Sequence, residues 1–235
     1  MAPASTGMLQ TEDRLPILLV DGGTRVLRRI GDVRRRRSVV HFEGQVSSIP
    51  GLADSIEDFP LVVIPPDGKW VTIVERDAAP SPARHTFAVT RFTPAGTEEW
   101  RRAIEYTPRP LPPTLAADAI VDAFVAGGAM SRSGLSTSAR RQMVIDAIQP
   151  IDFYPPVFKA RPGVDGTIWI LESAEPTDTV RWRVLDSRGE DAMIVRLPAA
   201  FDVRLGASDF VIGAQLDSLD VPLVVRYSIE GKRKP

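Results

Sequence analysis

Residues Val157 to Leu197 read VFKARPGVDGTIWILESAEPTDTVRWRVLDSRGEDAMIVRL, and the periodicity of this stretch decides the fold. Val157 to Ala160 is a short apolar-leaning run, Pro162-Gly163-Val164-Asp165-Gly166 carries turn chemistry, and Thr167 to Leu171 is β-branched and aromatic. This order predicts a hairpin. After the polar loop Ser173 to Asp178, Val180, Trp182 and Val184 alternate with charged or polar neighbours through Thr179 to Leu185. A period of two belongs to a half-buried strand and excludes a helix. Asp186-Ser187-Arg188-Gly189 turns the chain, and Ala192 to Leu197 closes a second hairpin. The expectation is one four-stranded antiparallel unit of about forty residues.

Outward from this unit the pattern recurs. Upstream, Leu61 to Ile64, the turn Pro65-Pro66-Asp67-Gly68 and Trp70 to Val74 match its first hairpin, including an aromatic residue shortly after Asp-Gly. Thr86 to Phe92, the turn Thr93-Pro94-Ala95-Gly96 and Glu99 to Ile104 match the second. Gly96 and Gly189 lie 93 residues apart, and removing an insertion of roughly forty residues leaves a blade-sized period of about fifty. Further upstream, Ile17 to Val20, the turn Asp21-Gly22-Gly23 and Val26 to Ile30 read as the second half of such a unit, followed by a short strand at Val39 to Phe42. Val46 to Phe59 has low periodicity and reads as a long connection. Downstream, Phe201 to Leu205, Asp209 to Ala214 and Val221 to Ile229 supply three more strands.

The intervening segment is different. Arg109-Pro110-Leu111-Pro112-Pro113 forbids helix, after which Thr114 can cap a helix over Leu115 to Val125, and a second helix is predicted over about Thr137 to Ile148 before Pro150 ends it. The chain therefore divides into a disordered lead-in (1–14), repeat units (15–109), a helical-hairpin insertion (110–150), further repeat units (151–229) and a charged tail (230–235). Met1 to Arg14 has neither the basic nor the apolar region of a secretory signal. The most apolar window, Leu115 to Met130, is broken by Asp118, Asp122 and a Gly pair, so no bilayer span is expected.

The Asp-Gly-x-x-Trp and Asp-Gly-x-Trp hairpins, the Asp186 to Gly189 turn and the run Leu219 to Tyr227 resemble bacterial six-bladed β-propellers of the NHL-like type. The resemblance covers Leu15 to Ile229 apart from the insertion. It implies an all-β fold: a partial propeller of about three to four blades of four-stranded antiparallel sheet, the C-terminal portion of a longer six-bladed protein. Such propellers are often exported, so the resemblance implies an extracytoplasmic full-length parent. The Asp165 to Ile170 motif also resembles that of streptogramin-lyase-like propellers, which use a histidine base, and acidic residues hold a cation in lactonase-like ones. An open propeller exposes strand edges, so self-association through them is expected.

Composition narrows the functional classes. The 235 residues are 43% apolar, with 29 basic and 30 acidic residues, a net charge of −1 and no cysteine. A packed core is affordable at this length, no global bias towards nucleic acid or anionic membrane exists, and disulfide and thiolate chemistry are excluded. Two histidines, His41 and His85, stand outside any lyase-like motif. Asp67 and Asp165 each precede Gly in a turn, where Asp satisfies its own backbone. Glu98 and Glu99 point to opposite faces of a strand, and Asp118 and Asp122 share the polar stripe of a helix. Seven arginines lie between Arg25 and Arg37 with Asp32 the one acid among them, but no aromatic residue is interleaved to stack bases. The four tryptophans, Trp70, Trp100, Trp169 and Trp182, are spaced as blade-packing residues. No catalytic residue, metal ligand or cofactor is assigned. The expected function is a non-catalytic propeller module that binds an unknown protein, peptide or small molecule. The alternative is a propeller hydrolase or lyase whose active site is incomplete in this chain.

Overall fold

Alternation on the strand Ile168–Glu172 sends successive side chains to two different neighbours. Ile168 and Ile170 pack into one apolar cluster and Trp169, between them, into another, and all three are fully buried. A strand covered on both faces is the centre of this molecule. The computed structural model describes residues 14–20, 27–34, 40–42, 45–47, 60–76, 85–112, 153–172 and 177–230, together with Thr114, Leu115, Asp118, Ser136, Ser138, Ala139 and Gln142.

Among these residues the fold is all-β and antiparallel. β1 (Arg14–Val20) and β2 (Leu27–Arg34) pair as a hairpin, as do β3 (Val40–Phe42) and β4 (Gln45–Ser47). β5 (Leu61–Val63), β6 (Val71–Glu75), β7 (Thr86–Phe92) and β8 (Glu98–Glu105) form a meander in which each strand pairs with the next. β9 (Val157–Pro162), β10 (Ile168–Glu172), β11 (Thr179–Leu185) and β12 (Asp191–Pro198) repeat it, and β13 (Asp202–Gly206), β14 (Phe210–Leu216) and β15 (Pro222–Ser228) form a three-stranded meander. The expected strands are all present within a few residues. One departure is β4, which runs from Gln45 into the segment Val46 to Phe59 expected to be a plain connection. Its three residues pair with β3, and so short a run carries no readable alternation.

The rest of that segment, most of the lead-in and residues 231–235 lie outside the described residues. In the insertion, Thr114, Leu115, Asp118, Ser138, Ala139 and Gln142 are helical, and the remainder of the predicted helical hairpin is likewise outside them. Its stem is described. Pro110 and Phe153 form an antiparallel bridge, the Tyr154 N–H donates to the Arg109 carbonyl at 2.9 Å, and the Arg109 guanidinium stacks over the Tyr154 ring at 4.1 Å.

The two four-stranded meanders are copies in detail. β6 and β10 are five residues long and end in Glu75 and Glu172, while β7 and β11 are seven residues long and begin at Thr86 and Thr179. Each third strand carries a bulge just before its last residue, between Arg91 and Phe92 or between Val184 and Leu185. The turns that follow close identically. Thr93 N–H donates to Thr97 and Gly96 N–H to Thr93, just as Asp186 N–H donates to Glu190 and Gly189 N–H to Asp186. Gly96 and Gly189 sit at φ +86° and +80°, where an L side chain is strained.

Packing between sheets repeats as well. One cluster joins Val63, Trp70, Val74, Phe87, Val89 and Ile104 of the first meander to Val157, Ala160, Ile168, Ile170 and Leu185 of the second. The other joins Trp169, Trp182, Val184 and Leu197 of the second to Val203 and Val211 of the third. Each fully buried apolar side chain stabilises the fold by about 1.5–3 kcal/mol. β5 lies beside β9 and β9 beside β13, so the first strands stand next to one another in succession. At Gly96, an added Cβ would lie 3.0 Å from the Arg29 carbonyl oxygen on β2, and at Gly189 it would lie 2.8 Å from the Trp100 ring on β8. β2 thus stands to the first meander as β8 stands to the second, which fits the reading of the β1–β2 hairpin as the second half of a unit.

Candidate functional site

In an antiparallel meander successive connections alternate between two ends, and here the two ends differ in kind. One end holds the tight turns β5–β6, β7–β8, β9–β10, β11–β12 and β13–β14. These are joined laterally. Arg91, at the end of β7, donates from Nη1 to the Gly166 carbonyl at 2.9 Å, carries its guanidinium 4.4 Å over the Trp70 ring, and places Nε 2.9 Å from Glu99 Oε2 in an ion pair. Burial pushes the Arg91 guanidinium below its ordinary value even against the opposing pull of Glu99. Trp100 donates from Nε1 to the Ser187 carbonyl at 3.0 Å, and Arg102 Nη2 reaches the Arg188 carbonyl at 3.0 Å and Glu190 Oε1 at 2.8 Å.

Asp165 continues the seam to the third sheet. Its Oδ1 accepts from the Thr167 N–H at 3.2 Å and the Thr167 hydroxyl at 2.6 Å, while its Oδ2 accepts from the Ser208 N–H at 2.7 Å. Burial alone would raise the Asp165 pKa, but the hydrogen bonds from Thr167 and Ser208 outweigh it and hold the carboxyl below the ordinary 3.8. Val164 N–H also donates to the Gly206 carbonyl at 2.9 Å. Asp67, in the equivalent turn, bonds the Lys69 N–H at 3.2 Å and pairs with the Lys69 ammonium at 3.0 Å, which lowers its pKa. Both aspartates are therefore turn residues whose oxygens already have donors.

The other singled-out residues are also accounted for where they are described. Glu99 pairs with Arg91, while Glu98 is exposed. The His85 ring packs edge-on against Tyr106 with centroids 6.2 Å apart, and its carbonyl accepts from the Tyr106 N–H at 2.9 Å. His41 lies on β3 opposite Val46 in register. The tryptophans pack as expected: Trp70, Trp169 and Trp182 are buried, the last two with ring centroids 6.4 Å apart, and Trp100 covers the neighbouring turn. Of the arginine run, Arg28, Arg29 and Arg34 lie on β2, and Arg25 and Arg35 to Arg37 lie outside the described residues, as does Asp122. Among the described residues, no group of three or more His, Asp or Glu side chains is placed to hold a metal ion, and no helix is long and apolar enough to cross a membrane.

Sequence reading missed the ion-pair chain along the second meander. Arg181 Nε lies 3.1 Å from Glu172 Oε2, Arg183 bonds Glu172 Oε1, and Arg183 Nη1 lies 2.6 Å from Asp191 Oδ2. Burial would lower the Arg183 pKa, and the two carboxylates more than offset it. The first meander has a counterpart in Glu75 and Arg101, 2.6 Å apart. A glutamate ending the second strand of each copy was the available signal.

The opposite end carries the long connections, residues 76–85 between β6 and β7, 106–156 with the insertion and 173–178 between β10 and β11, together with the short link 199–201 between β12 and β13 and the β14–β15 turn, which closes like the β7–β8 and β11–β12 turns. Here apolar side chains face solvent. Leu219 is 80% exposed, and Leu216 and Val221 flank it, also exposed. Compared with models of known protein families and with curated protein sequences, the chain matches none.

Proposed function

We propose that the consecutive sheets are blades of a β-propeller and that the chain is a non-catalytic binding module engaging an extended apolar peptide or protein segment at the long-connection end. The observation that carries this reading is the contrast between the ends. At one end the turns engage their polar groups in holding neighbouring sheets together, and their exposed apolar side chains, Ile64 and Val164, belong to two different sheets. Leu216, Leu219 and Val221 present an apolar surface at the other, the end where the insertion also leaves the sheets. Loops on a rigid scaffold are where binding residues collect, and exposed apolar patches mark interaction surfaces. The side-by-side first strands and the repeated contacts at Gly96 and Gly189 support the propeller geometry. A hydrolase or lyase of the lactonase-like kind would need Asp67 and Asp165 for a cation, and both carboxylates already serve neighbouring N–H groups.

The test is selection of peptides from a random displayed library on the full chain, followed by affinity measurement with two variants. Leu219→Asp is expected to weaken the selected peptides by about tenfold or more, as removal of a buried apolar anchor does. Lys69→Glu, at the turn end, is expected to leave them unchanged. Failure to enrich any sequence, or sensitivity confined to Lys69→Glu, would sink the proposal.

A further inference from the structure

β15 ends the third meander and carries a surface unlike that of the other last strands. Val224 is 84% exposed, with Leu223 at 44% beside it, and the strand's single charge is Arg226. Among the described residues no strand lies on its outer side. On β8 the exposed positions are Glu98, Glu99, Arg101, Ala103 and Glu105, and four of these five carry charge; on β15 Arg226 is the one charged side chain, so charge guards this edge far less.

The register fixes which backbone groups of β15 are free. Asp217 N–H donates to Val221 and Ile229 N–H to Asp209, while Leu216 faces Pro222 and Phe210 faces Ser228. Hydrogen-bonded pairs alternate along an antiparallel ladder, so Leu223, Val225 and Tyr227 bond to β14. Pro222, Val224, Arg226 and Ser228 turn their backbone groups outward.

We propose that this edge pairs with β15 of a second copy of the chain, antiparallel about a two-fold axis at Val225. This register overlaps the whole strand. The N–H of Val224 meets the carbonyl of Arg226 of the second copy, that of Arg226 meets Val224, and that of Ser228 meets Pro222. Proline, which has no N–H to give, falls at the strand's end, where one missing bond is least disruptive. Side chains also match. Val225 meets Val225, Leu223 meets Tyr227, and the aliphatic stem of Arg226 covers Val224 without placing two arginines opposite each other. A strand with one charge, placed off its centre, is complementary to itself in this way.

Light scattering and sedimentation of the full chain across a concentration series test the pairing, with melting followed by circular dichroism to verify folding. The wild type is expected at twice the 25.7 kDa of one chain. Val224→Lys sets a lysine against Arg226 of the other copy at two symmetric places, and is expected to weaken association by about tenfold or more. Val224→Glu sets a carboxylate there and is expected to retain or tighten it. Because Val224 is 84% exposed, neither change disturbs the core. A monomeric wild type overturns the proposal, as does an equal loss from both variants, which would mark a general apolar contact. A monomer whose β15 edge takes up a library-selected peptide instead also overturns it.

Discussion

β8 and β12 occupy the same place in their sheets and share no residue position for position: EEWRRAIE against DAMIVRLP. Their burial is nevertheless the same along the whole strand, with Ile104 and Leu197 the buried residue in each. The two meanders thus preserve a pattern of inside and outside while exchanging every side chain that produces it. What differs is the surface beyond the pattern. β8 shows Glu98, Glu99, Arg101 and Glu105 to solvent, whereas β12 shows Ala192 and Ile194 alongside Asp191 and Arg196. Strand placement follows from alternation and turn chemistry, and residue identity is left to decide what each sheet meets.

The largest expected effect tests whether the second meander is the central one. Trp169 is fully buried against the third sheet and packs on Trp182. Trp169→Ala is expected to cost about 3–5 kcal/mol in equilibrium denaturation. A cost near that of an exposed site would mean that the two apolar clusters do not depend on this strand.

A second pair of substitutions separates backbone strain from contact. Gly68 and Gly189 both have positive φ, at +64° and +80°, but an added Cβ at Gly68 meets nothing within 4 Å while at Gly189 it meets the Trp100 ring at 2.8 Å. Gly68→Ala is expected to cost about 1 kcal/mol, the penalty of the left-handed conformation, and Gly189→Ala about 2–3 kcal/mol, because the ring must also move. Equal costs would show that the neighbouring sheet yields freely at the turn.

The smallest effect concerns Asp165 and acid. Its pKa is lowered in the folded chain, so its contribution is present above the ordinary 3.8 and is lost as pH falls through the folded value below it. Asp165→Asn is expected to cost about 1 kcal/mol at neutral pH, the scale of a partly exposed charge-assisted hydrogen bond. The gap between wild type and variant should close below about pH 3.8 in a pH series of denaturation curves. A gap independent of pH would assign the effect to packing.

Much of the fold was legible. Alternation in Thr179 to Leu185 and the Asp-Gly turns placed the strands because both signals are local. The sheet neighbours were not legible, since they rest on contacts between residues far apart in sequence: Arg91 on Gly166, Trp100 on Ser187 and Arg161 on the Val203 carbonyl. β4 escaped because three residues hold too little periodicity. The turn roles of Asp67 and Asp165 were readable from the following glycine, but the bond from Ser208 to Asp165, which crosses to another sheet, was not. Nor did the sequence reading separate the two ends, because that distinction appears only when five turns are brought together.

The clamped stem of the insertion has a consequence for how this chain could change. Arg109 and Pro110 meet Phe153 and Tyr154 before the sheets resume, and the buried Arg76 fixes the first residue of the next meander by donating to the Val157 carbonyl at 3.0 Å. The chain between the two sides of the stem leaves the sheets and returns to them at this one place. Doubling the length of such a loop adds only about 0.6 kcal/mol of closure entropy. The position is therefore a natural grafting point, where a segment of another length or sequence could be exchanged while the register of both neighbouring sheets stays as it is.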